Sequence, residues 1–483
     1  MGDYSVPKEI RDLRPQGTMV KKITDGFYVY KYENFKDENG RWRTRSGECI
    51  GRITAGEGFI PNGKRLRSDE VSCRDFGGYR FVTENTAGVL EQLKKFFHPD
   101  EAVQIYIIAV IFFVNGYTYM KNIAKVFGLS YLSLLFPRAR LGQDALRTLY
   151  GLLGTRDGKV KEYEQDTIDK SSGMVALDGH VISCSSAKSD LSAYGYKYKK
   201  IGMPQINWMT AYDVKKKKTL LSRFHNGADP DKVAVKELLD RFEFKNTKFI
   251  LDRGFNSKPV KEMVSGNGNT YLMPVVGGRK VHGFLIANYH FVDNRYFIYT
   301  NRGEASMVFY QEFMRKGVKY VVYKDMTRAA AEKAEFLKKV EEKEDGYVME
   351  KLKEAERLFG IFILETNDAG ETPEKMFRDY KSRWKIETYY DYVDNTQRFI
   401  AMYQREYSSF QGVSFLMTVS GHIFEEMRAA VDGKGISLKD AMNSFGAIKI
   451  VLEGEKWTVR NTPKYVRQAA EKVGFDIPKY YVK

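Results

Sequence analysis

Residues 174–179 read MVALDG and residues 249–254 read FILDRG, so an apolar run ends in an aspartate at two places, Asp178 and Asp252. Short apolar runs bounded by glycine are typical of buried strands. Each aspartate is therefore expected at the end of a strand. A lone aspartate at such a place is usually a turn or cap residue, and this remains the alternative reading of each one.

A third acid, Glu387, lies in the stretch YKSRWKIE, whose helical period places Tyr380, Arg383 and Glu387 on one side of a helix. Thr372 followed by Pro373 predicts the start of that helix, as N-cap and first helical residue. A glutamate on a charged helix is ordinarily solvated. Its spacing from the tyrosine and the arginine favours a functional role instead. Trp384 and Ile386 are expected in the core, because the helix must also bury a face against the sheet.

Three carboxylates carried by two strands and a helix have the chemistry needed to hold two divalent ions. Hard cations such as Mg²⁺ prefer oxygen ligands and take carboxylates together with phosphate oxygens. A pair of such ions can clamp a phosphodiester for in-line displacement. We therefore predict that Asp178, Asp252 and Glu387 are catalytic residues and metal ligands.

These residues resemble a known family, the DDE insertion-sequence transposases of the lineage whose third acid lies in a Tyr-x2-Arg-x3-Glu-x6-Lys signature. The positions that match are Asp178, Asp252, Tyr380, Arg383 and Glu387. The lysine of the signature falls on Asp394 here. Weaker similarities span roughly residues 170 to 395, and the N-terminal stretch up to Pro61 also resembles the family's opening segment.

The resemblance implies an α/β protein with an RNase H-like catalytic core and a large inserted subdomain, preceded by a β-hairpin and a helical region. It implies a DNA transposase that binds terminal inverted repeats, cleaves at the element ends with two Mg²⁺ or Mn²⁺ ions, and joins 3′-hydroxyls to target DNA. A homodimer on double-stranded DNA is also implied. Tyr380 and Arg383 would contact DNA, and Lys381 or Lys385 would supply the cation that Asp394 does not.

Charge agrees with a polyanionic partner, because 78 Lys and Arg against 62 Asp and Glu leave a net charge of +16. Many basic proteins bind no nucleic acid, so charge alone does not decide. Three cysteines at no metal-ligand spacing and a start without a signal-peptide pattern predict a cytoplasmic protein. The family resemblance implies that it is nucleoid-associated and prokaryotic. Residues 103–114 are strongly apolar but too short to span a bilayer, and they predict a buried helix.

The predicted organisation has six parts along the 483 residues. They are a β-rich element at 1–85, a helical region at 86–160, the first part of the core at 161–278, an inserted subdomain at 279–371, the C-terminal helices of the core at 372–435, and a basic region at 436–483 with possible helices of its own. The helical region is either a module that binds DNA ends or a cap packed on the core.

Within the core, the family resemblance implies the order of a strand to Asp178, two strands, a helix, a strand to Asp252, a helix and a strand. The two middle strands are predicted at 206–212 and 219–224, the first helix at 231–242 with Asp229 or Asp231 as its cap, and the last helix and strand at about 257–264 and 271–276. One long helix is predicted at 326–359. The lysine run Lys215–Lys218 at a hairpin tip would either rest on DNA or form a solvated turn. His180, two residues after the first acid, would either reach substrate or pack beside its strand.

Two other functions are compatible with the same residues. A non-catalytic DNA-binding protein derived from a transposase would explain the acid at position 394. A nuclease with an RNase H-like core would hydrolyse DNA without joining it to a target.

Overall fold

A computed structural model describes residues 6–23, 26–37, 40–56, 58–61, 72–155, 157–184, 186, 188–195, 202–290, 295–301, 303–396, 398, 401–402 and 404–481. The chain divides into two compact units. One comprises Met1–Ser72 with Val451–Glu455, and the other comprises Cys73–Ile450 with Lys456–Lys483.

The first unit is built on an antiparallel sheet whose strands follow one another in chain order. Its elements are α1 (Lys8–Arg11), β1 (Thr18–Ile23), β2 (Gly26–Lys36), β3 (Trp42–Thr54) and β4 (Gly58–Pro61). Val20, Val29 and Ile53 form its small core. β2 and β3 pair as the β-hairpin that the family resemblance implies. Glu38 and Asn39, between the two strands, lie outside the described residues.

A helical region opens the second unit. Its elements are β5 (Cys73–Asp75), α2 (Gly77–Asn85), α3 (Ala87–Phe96), α4 (Pro99–Asn115), α5 (Met120–Gly128), α6 (Leu132–Leu135), α7 (Gln143–Thr155) and α8 (Asp157–Asp169). α4 is apolar on every side because it runs through the main core, as the sequence predicts. Among the described helices, none alone has the length and apolar character of a membrane span; α4 and α5 together pass that test, with an 88° bend between them.

The strands that carry the first two acids come next, in the order predicted for the core. The elements are β6 (Met174–Cys184), β7 (Gln205–Asp213), β8 (Lys218–Asn226), α9 (Asp231–Arg241), β9 (Lys248–Leu251), α10 (Lys258–Val264) and β10 (Thr270–Pro274). The predicted side-chain cap of α9 is wrong. Pro230 occupies the N-cap position with an extended backbone, and no side chain caps the helix.

Residues 279–371 extend the sheet of the core. Their elements are α11 (Lys280–Ala287), β11 (Tyr296–Asn301), β12 (Glu304–Arg315), β13 (Val318–Asp325), α12 (Met326–Glu341), α13 (Leu352–Glu356) and β14 (Ile361–Thr366). The strand order of the shared sheet is β11-β12-β13-β14-β10-β9-β6-β7-β8. The single helix predicted at 326–359 is wrong, because Lys343 and Gly346 adopt positive φ and end the helical path between α12 and α13.

The C-terminal part supplies the third acid and the longest described helix. Its elements are α14 (Pro373–Ser382), α15 (Lys385–Asp391), β15 (Ala401–Met402), α16 (Tyr407–Val431), α17 (Leu438–Gly446), β16 (Lys449–Glu453), β17 (Lys456–Arg460), α18 (Lys464–Val473) and β18 (Tyr480–Tyr481). The helices predicted beyond residue 436 are present. The strands β16 to β18 were not predicted, and they form a small sheet with β5.

α16 packs against α7 so closely that glycine is needed on both helices. A Cβ on Gly154 of α7 would lie 1.9 Å from the carbonyl oxygen of Ser408, and one on Gly412 of α16 would lie 2.2 Å from that of Tyr150. Backbone atoms cannot move aside as a flexible side chain can. This crossing therefore fixes the spacing of the two helices.

Gly154→Ala should lower the free energy of unfolding by about 2–3 kcal/mol, the usual scale of overpacking in a core. Gly151 lies one turn earlier on the same helix, and a Cβ there would meet nothing within 4 Å. Gly151→Ala should therefore raise the free energy of unfolding by about 0.5–1 kcal/mol, because alanine reduces the entropy of the unfolded chain. Urea denaturation followed by circular dichroism measures both, and equal shifts for the two variants would contradict the crossing.

Candidate active site

The pairing of β6 with β9 brings the first two acids side by side. The strands run parallel, and their last register pair joins Leu177 to Leu251. Asp178 and Asp252 are the next residues of the two segments, at matching register, where side chains of neighbouring strands lie on the same face. Asp252 follows the end of its strand, as predicted.

Asp178 does not end its strand, contrary to the prediction. β6 continues to Cys184, because beyond Leu177 it stays paired with β7, where Asp178 lies opposite Thr210. β9 ends at Leu251, the partner of Leu177, and the apolar run of β6 stops at the same level of the sheet. β6 itself continues beyond it. The acid is therefore held in the middle of an antiparallel pair of strands.

The helix that carries the third acid is interrupted at Arg383. It begins as predicted, with the Thr372 hydroxyl accepting a hydrogen bond from the backbone N–H of Lys375 at 3.4 Å. The continuous helix predicted from periodicity is wrong, since α14 and α15 are separate segments. The second segment buries Ile386 completely, whereas Trp384, which was expected in the core, is 53% exposed.

The guanidinium of Arg383 bridges the first and third acids. Its Nη1 lies 3.4 Å from Oδ2 of Asp178, and its Nη2 donates to Oε1 of Glu387 at 2.9 Å. The side chains of Asp178 and Arg383 are largely buried, while that of Glu387 is more than half exposed. Asp252 is close enough to act electrostatically on both Asp178 and Arg383. The structure thus brings the three predicted acids together around one cation.

Burial gives the site its unusual electrostatics. Burial raises the pKa of Asp178 to about 6, against the lowering effects of Arg383 and of the Gly179 backbone N–H. The neighbouring carboxylates of Asp252 and Glu387 raise it further. Burial alone would lower the pKa of Arg383, but the surrounding acids, Asp178 first, outweigh it and the net direction is upward. The cluster therefore carries more negative charge than one guanidinium can compensate.

The other predicted DNA contacts lie around this cluster. The Tyr380 side chain is half-buried beside Arg383, and burial raises the pKa of its hydroxyl to about 12. The ammonium group of Lys381 lies over the rings of Phe362 and Phe377. Lys385 donates to the backbone carbonyl of Val214 at 3.0 Å. For both lysines, burial lowers the pKa.

Asp394 forms a contact that the sequence did not suggest. Its Oδ1 lies 2.9 Å from Nε2 of His180, and the His180 ring stacks on Tyr390 at 4.7 Å between centroids. The Tyr390 hydroxyl in turn donates to the backbone carbonyl of Asp178 at 2.9 Å. The sequence does contain one indication that His180 lies near the first acid: residues 178 and 180 are two apart on a strand and therefore share a face. At the position of the signature's lysine, the chain thus has an acid that pairs with a histidine beside the first carboxylate.

A buried ion-pair network holds α14, the helical segment before the one that carries Glu387, on strand β9. Lys248, the first residue of β9, contacts Glu371, and it lies 2.7 Å from Asp379 of α14. Lys375 of α14 pairs with the same two acids at 2.7 and 2.9 Å. Glu371 is almost completely buried and Lys248 nearly so. Because a buried charge is costly without its partner, the network fixes where α14 meets β9.

The donor set fits a hard divalent cation in its chemistry. Three carboxylates converge on one positive group, and burial, with a smaller effect of the neighbouring acids, raises the pKa of the first of them to about 6. Within the described part of the chain, no three His, Cys, Asp or Glu side chains stand close enough to hold an ion as they are. Arg383 lies between two of the acids instead, so metal binding requires the guanidinium to move.

Comparison with known proteins identifies the family of this chain. Residues 169–418, which contain all three acids, match the family model described as the transposase DDE domain. The chain belongs to this family. DDE transposases generally use divalent metal ions, which accords with the carboxylate set described above. The finer lineage, defined by the tyrosine–arginine–glutamate–lysine signature, stays a prediction.

Among solved structures, the chain is similar to a piggyBac transposase in a synaptic complex with hairpin DNA, determined by cryo-electron microscopy. The identity is 13%, the alignment covers 83% of this chain and 84% of that one, and the TM-score is 0.40. A similarity of this size carries no argument about the site. The search of curated proteins found no match to this chain.

Replacing the first acid should stabilise the metal-free protein. With its pKa raised to about 6, the native state holds the Asp178 proton more tightly than the unfolded chain does, so the free energy of unfolding falls as pH rises from about 4 to about 6. At pH 7 the ionised carboxylate therefore costs about 1–3 kcal/mol. Asp178→Asn should raise the unfolding temperature at pH 7, and the gain should shrink towards pH 4.

Thermal unfolding with and without Mn²⁺ checks this expectation. Mn²⁺ should raise the unfolding temperature of the parent but not that of Asp178→Asn. Asp391→Asn, an exposed acid on α15, is the matched control and should behave as the parent does. A less stable Asp178→Asn at pH 7, or one stabilised by Mn²⁺ as much as the parent, would contradict the burial argument.

Proposed function

We propose that this protein is a DNA transposase that binds the terminal inverted repeats of its mobile element, cleaves DNA at the element ends and joins the 3′-hydroxyl ends to target DNA. The observation that carries the proposal is the convergence of Asp178, Asp252 and Glu387 around Arg383. Membership of the transposase DDE family supports it.

The carboxylates of Asp178, Asp252 and Glu387 would hold two divalent ions, Mg²⁺ or Mn²⁺, which supply Lewis-acid activation of the attacking oxygen and stabilisation of the leaving oxygen. Arg383 would then turn from the carboxylates to the phosphate, for which its planar fork of donors is suited. Tyr380 would contact DNA beside that guanidinium. Lys381 and Lys385 would contact DNA after leaving their present partners.

The element order supports an RNase H-like core. Strand β6 with the first acid is followed by β7, β8, α9, β9 with the second acid after it, α10 and β10. This is the order expected from the family resemblance. In this proposal residues 161–278 and 372–435 form the core, and residues 279–371 are an insertion that widens the same sheet.

The same proposal includes a homodimer, because two element ends must be held in one complex, and a cytoplasmic, nucleoid-associated location in a prokaryote. The net charge of +16 supports DNA as the partner. Residues 86–160 are the candidate for binding the DNA ends. The alternative role of this helical region is a cap packed on the core.

One observation favours a second function, a non-catalytic DNA-binding protein derived from a transposase. Asp394 stands where the signature has lysine, and it pairs with His180 close to the first acid. A nuclease that cuts without joining is the third reading. The products of the reaction distinguish all three.

Glu387→Gln should lower cleavage by about 10³-fold or more, the scale seen when a catalytic group is removed in other enzymes. To measure cleavage, the protein is incubated with Mn²⁺ and a labelled fragment of the DNA that flanks its gene, and the products are resolved on a denaturing gel. DNA binding by the variant should remain. Asp391→Asn, an exposed acid on the same helix, is the matched control and should cleave normally.

The other outcomes each point elsewhere. Boundary-specific binding without cleavage by the parent would favour the non-catalytic descendant. Cleaved ends that never become covalently linked to target DNA would favour the nuclease. Equal cleavage by the parent and Glu387→Gln would remove the third acid from the active site.

A further inference from the structure

A basic cleft separate from the three acids lies on the C-terminal part of the second unit. A cleft of about 1090 Å³ opens between the turn from β7 to β8, the C-terminal half of α16 and the start of α17. The positively charged residues that line it are Lys215, Lys216, Lys217, Arg398, Arg428 and Lys439, and the acids are Glu425 and Asp432. Such an excess of cations in a concave surface focuses a positive potential and attracts a polyanion.

The lysine turn of this cleft is held in a fixed shape. The fully buried carboxylate of Asp213 accepts hydrogen bonds from the backbone N–H groups of Lys215 and Lys216, at 3.0 and 2.9 Å. It also accepts one from the hydroxyl of Ser172 at 2.6 Å. Lys217 adopts a left-handed conformation with φ of +55°, which is costly for a residue other than glycine. These hydrogen bonds hold the turn in one conformation.

The side chains divide into those with partners in the protein and those that extend into solvent. Lys216 donates to the carbonyl of Lys170, and Arg428 lies 3.8 Å from Glu425. Lys215, Lys217 and Lys439 are exposed. Three exposed ammonium groups on two separate elements therefore line one cleft.

The floor of the cleft adds little negative charge. Glu425 is buried, and burial raises its pKa to about 8, against the opposing effect of Arg428. At neutral pH this carboxyl is therefore mostly protonated. The rings of Tyr392 and Phe424 stack beside it at 4.0 Å between centroids, which makes the wall apolar. Attraction between the lysines and an anion is stronger next to such a wall than in open water.

The cleft is within reach of a DNA segment bound at the acids. Thr210 of β7 lies opposite Asp178, and Asp213 at the end of the same strand begins the lysine turn. Three residues of strand span roughly 10 Å. Lys385, two residues before Glu387, contacts the carbonyl of Val214 inside that turn. One duplex could therefore touch both places through successive phosphates of its backbone.

We propose that this cleft binds the phosphate backbone of double-stranded DNA through Lys215, Lys217 and Lys439, as a contact separate from the three acids. It rests on the proposed function, because DNA is the substrate in both. The DNA is either the element end beyond the scissile phosphate or the target duplex, and the contact has the same chemistry in each case.

The test compares the triple variant Lys215→Gln, Lys217→Gln, Lys439→Gln with a matched triple that removes the same charge elsewhere. Lys338, Lys343 and Lys353 are exposed lysines outside the cleft and serve as that control. Fluorescence anisotropy gives Kd for a duplex from the element boundary and for an unrelated duplex, across a range of salt concentrations. Because a phosphate contact contributes about 0.9 to the slope of log Kd against log salt, the cleft triple should lose about 2–3 in slope and weaken binding by roughly tenfold or more.

Loss with both duplexes supports a backbone contact that any DNA can use, and loss with the boundary duplex alone supports a contact to the element end. Lys439→Gln alone should lose about 0.9 in slope, which keeps the test decisive if the triple fails to fold. If the parent binds and cleaves while the cleft triple matches the control triple, only the cleft proposal is overturned. A parent that neither binds nor cleaves either duplex overturns the proposed function together with it.

Discussion

The parallel pairing of β6 with β9 is the constraint on which the site depends. Residues 174–177 of β6 are buried on both faces, and so is most of β9, so packing on two sides fixes the register that ends at Leu177 and Leu251. A shift of one residue would turn the second acid to the other face of the sheet. The apolar contacts around the two strands therefore hold Asp178 and Asp252 close together against the repulsion between their carboxylates.

Arg383 offsets part of the repulsion between the carboxylates that this register brings together. Carboxylates placed side by side repel one another, and burial of the first adds a desolvation cost. The interruption of the helix between α14 and α15 puts the guanidinium between Asp178 and Glu387. The cation offsets part of that cost and keeps the acids together. The network of Lys248, Glu371 and Asp379 holds the helix where this contact is made.

Local pattern in the sequence was enough for the elements that carry chemistry. Apolar runs located the strands β6 and β9, and a threonine before a proline located the start of α14. What failed depends on partners distant in sequence. The continuation of β6 past Asp178 follows from pairing with β7. The exposure of Trp384 accompanies the interruption between α14 and α15, after which Ile386 is buried. The strands after residue 436 pair with each other and with β5, a contact that local periodicity does not contain.

The position of α16 in the core has a consequence for how the chain folds during synthesis. The rings of Phe97 and Tyr163, from the helical region, pack on Phe415 of α16, and Gly154 meets its backbone. α16 begins about 290 residues after α4 ends. The apolar faces of the earlier helices thus leave the ribosome long before their partner exists, and at about 5–20 residues per second they wait some 15–60 seconds. We expect the nascent chain to depend on chaperones until residue 431 has emerged, which couples the supply of active protein to the folding capacity of the cell.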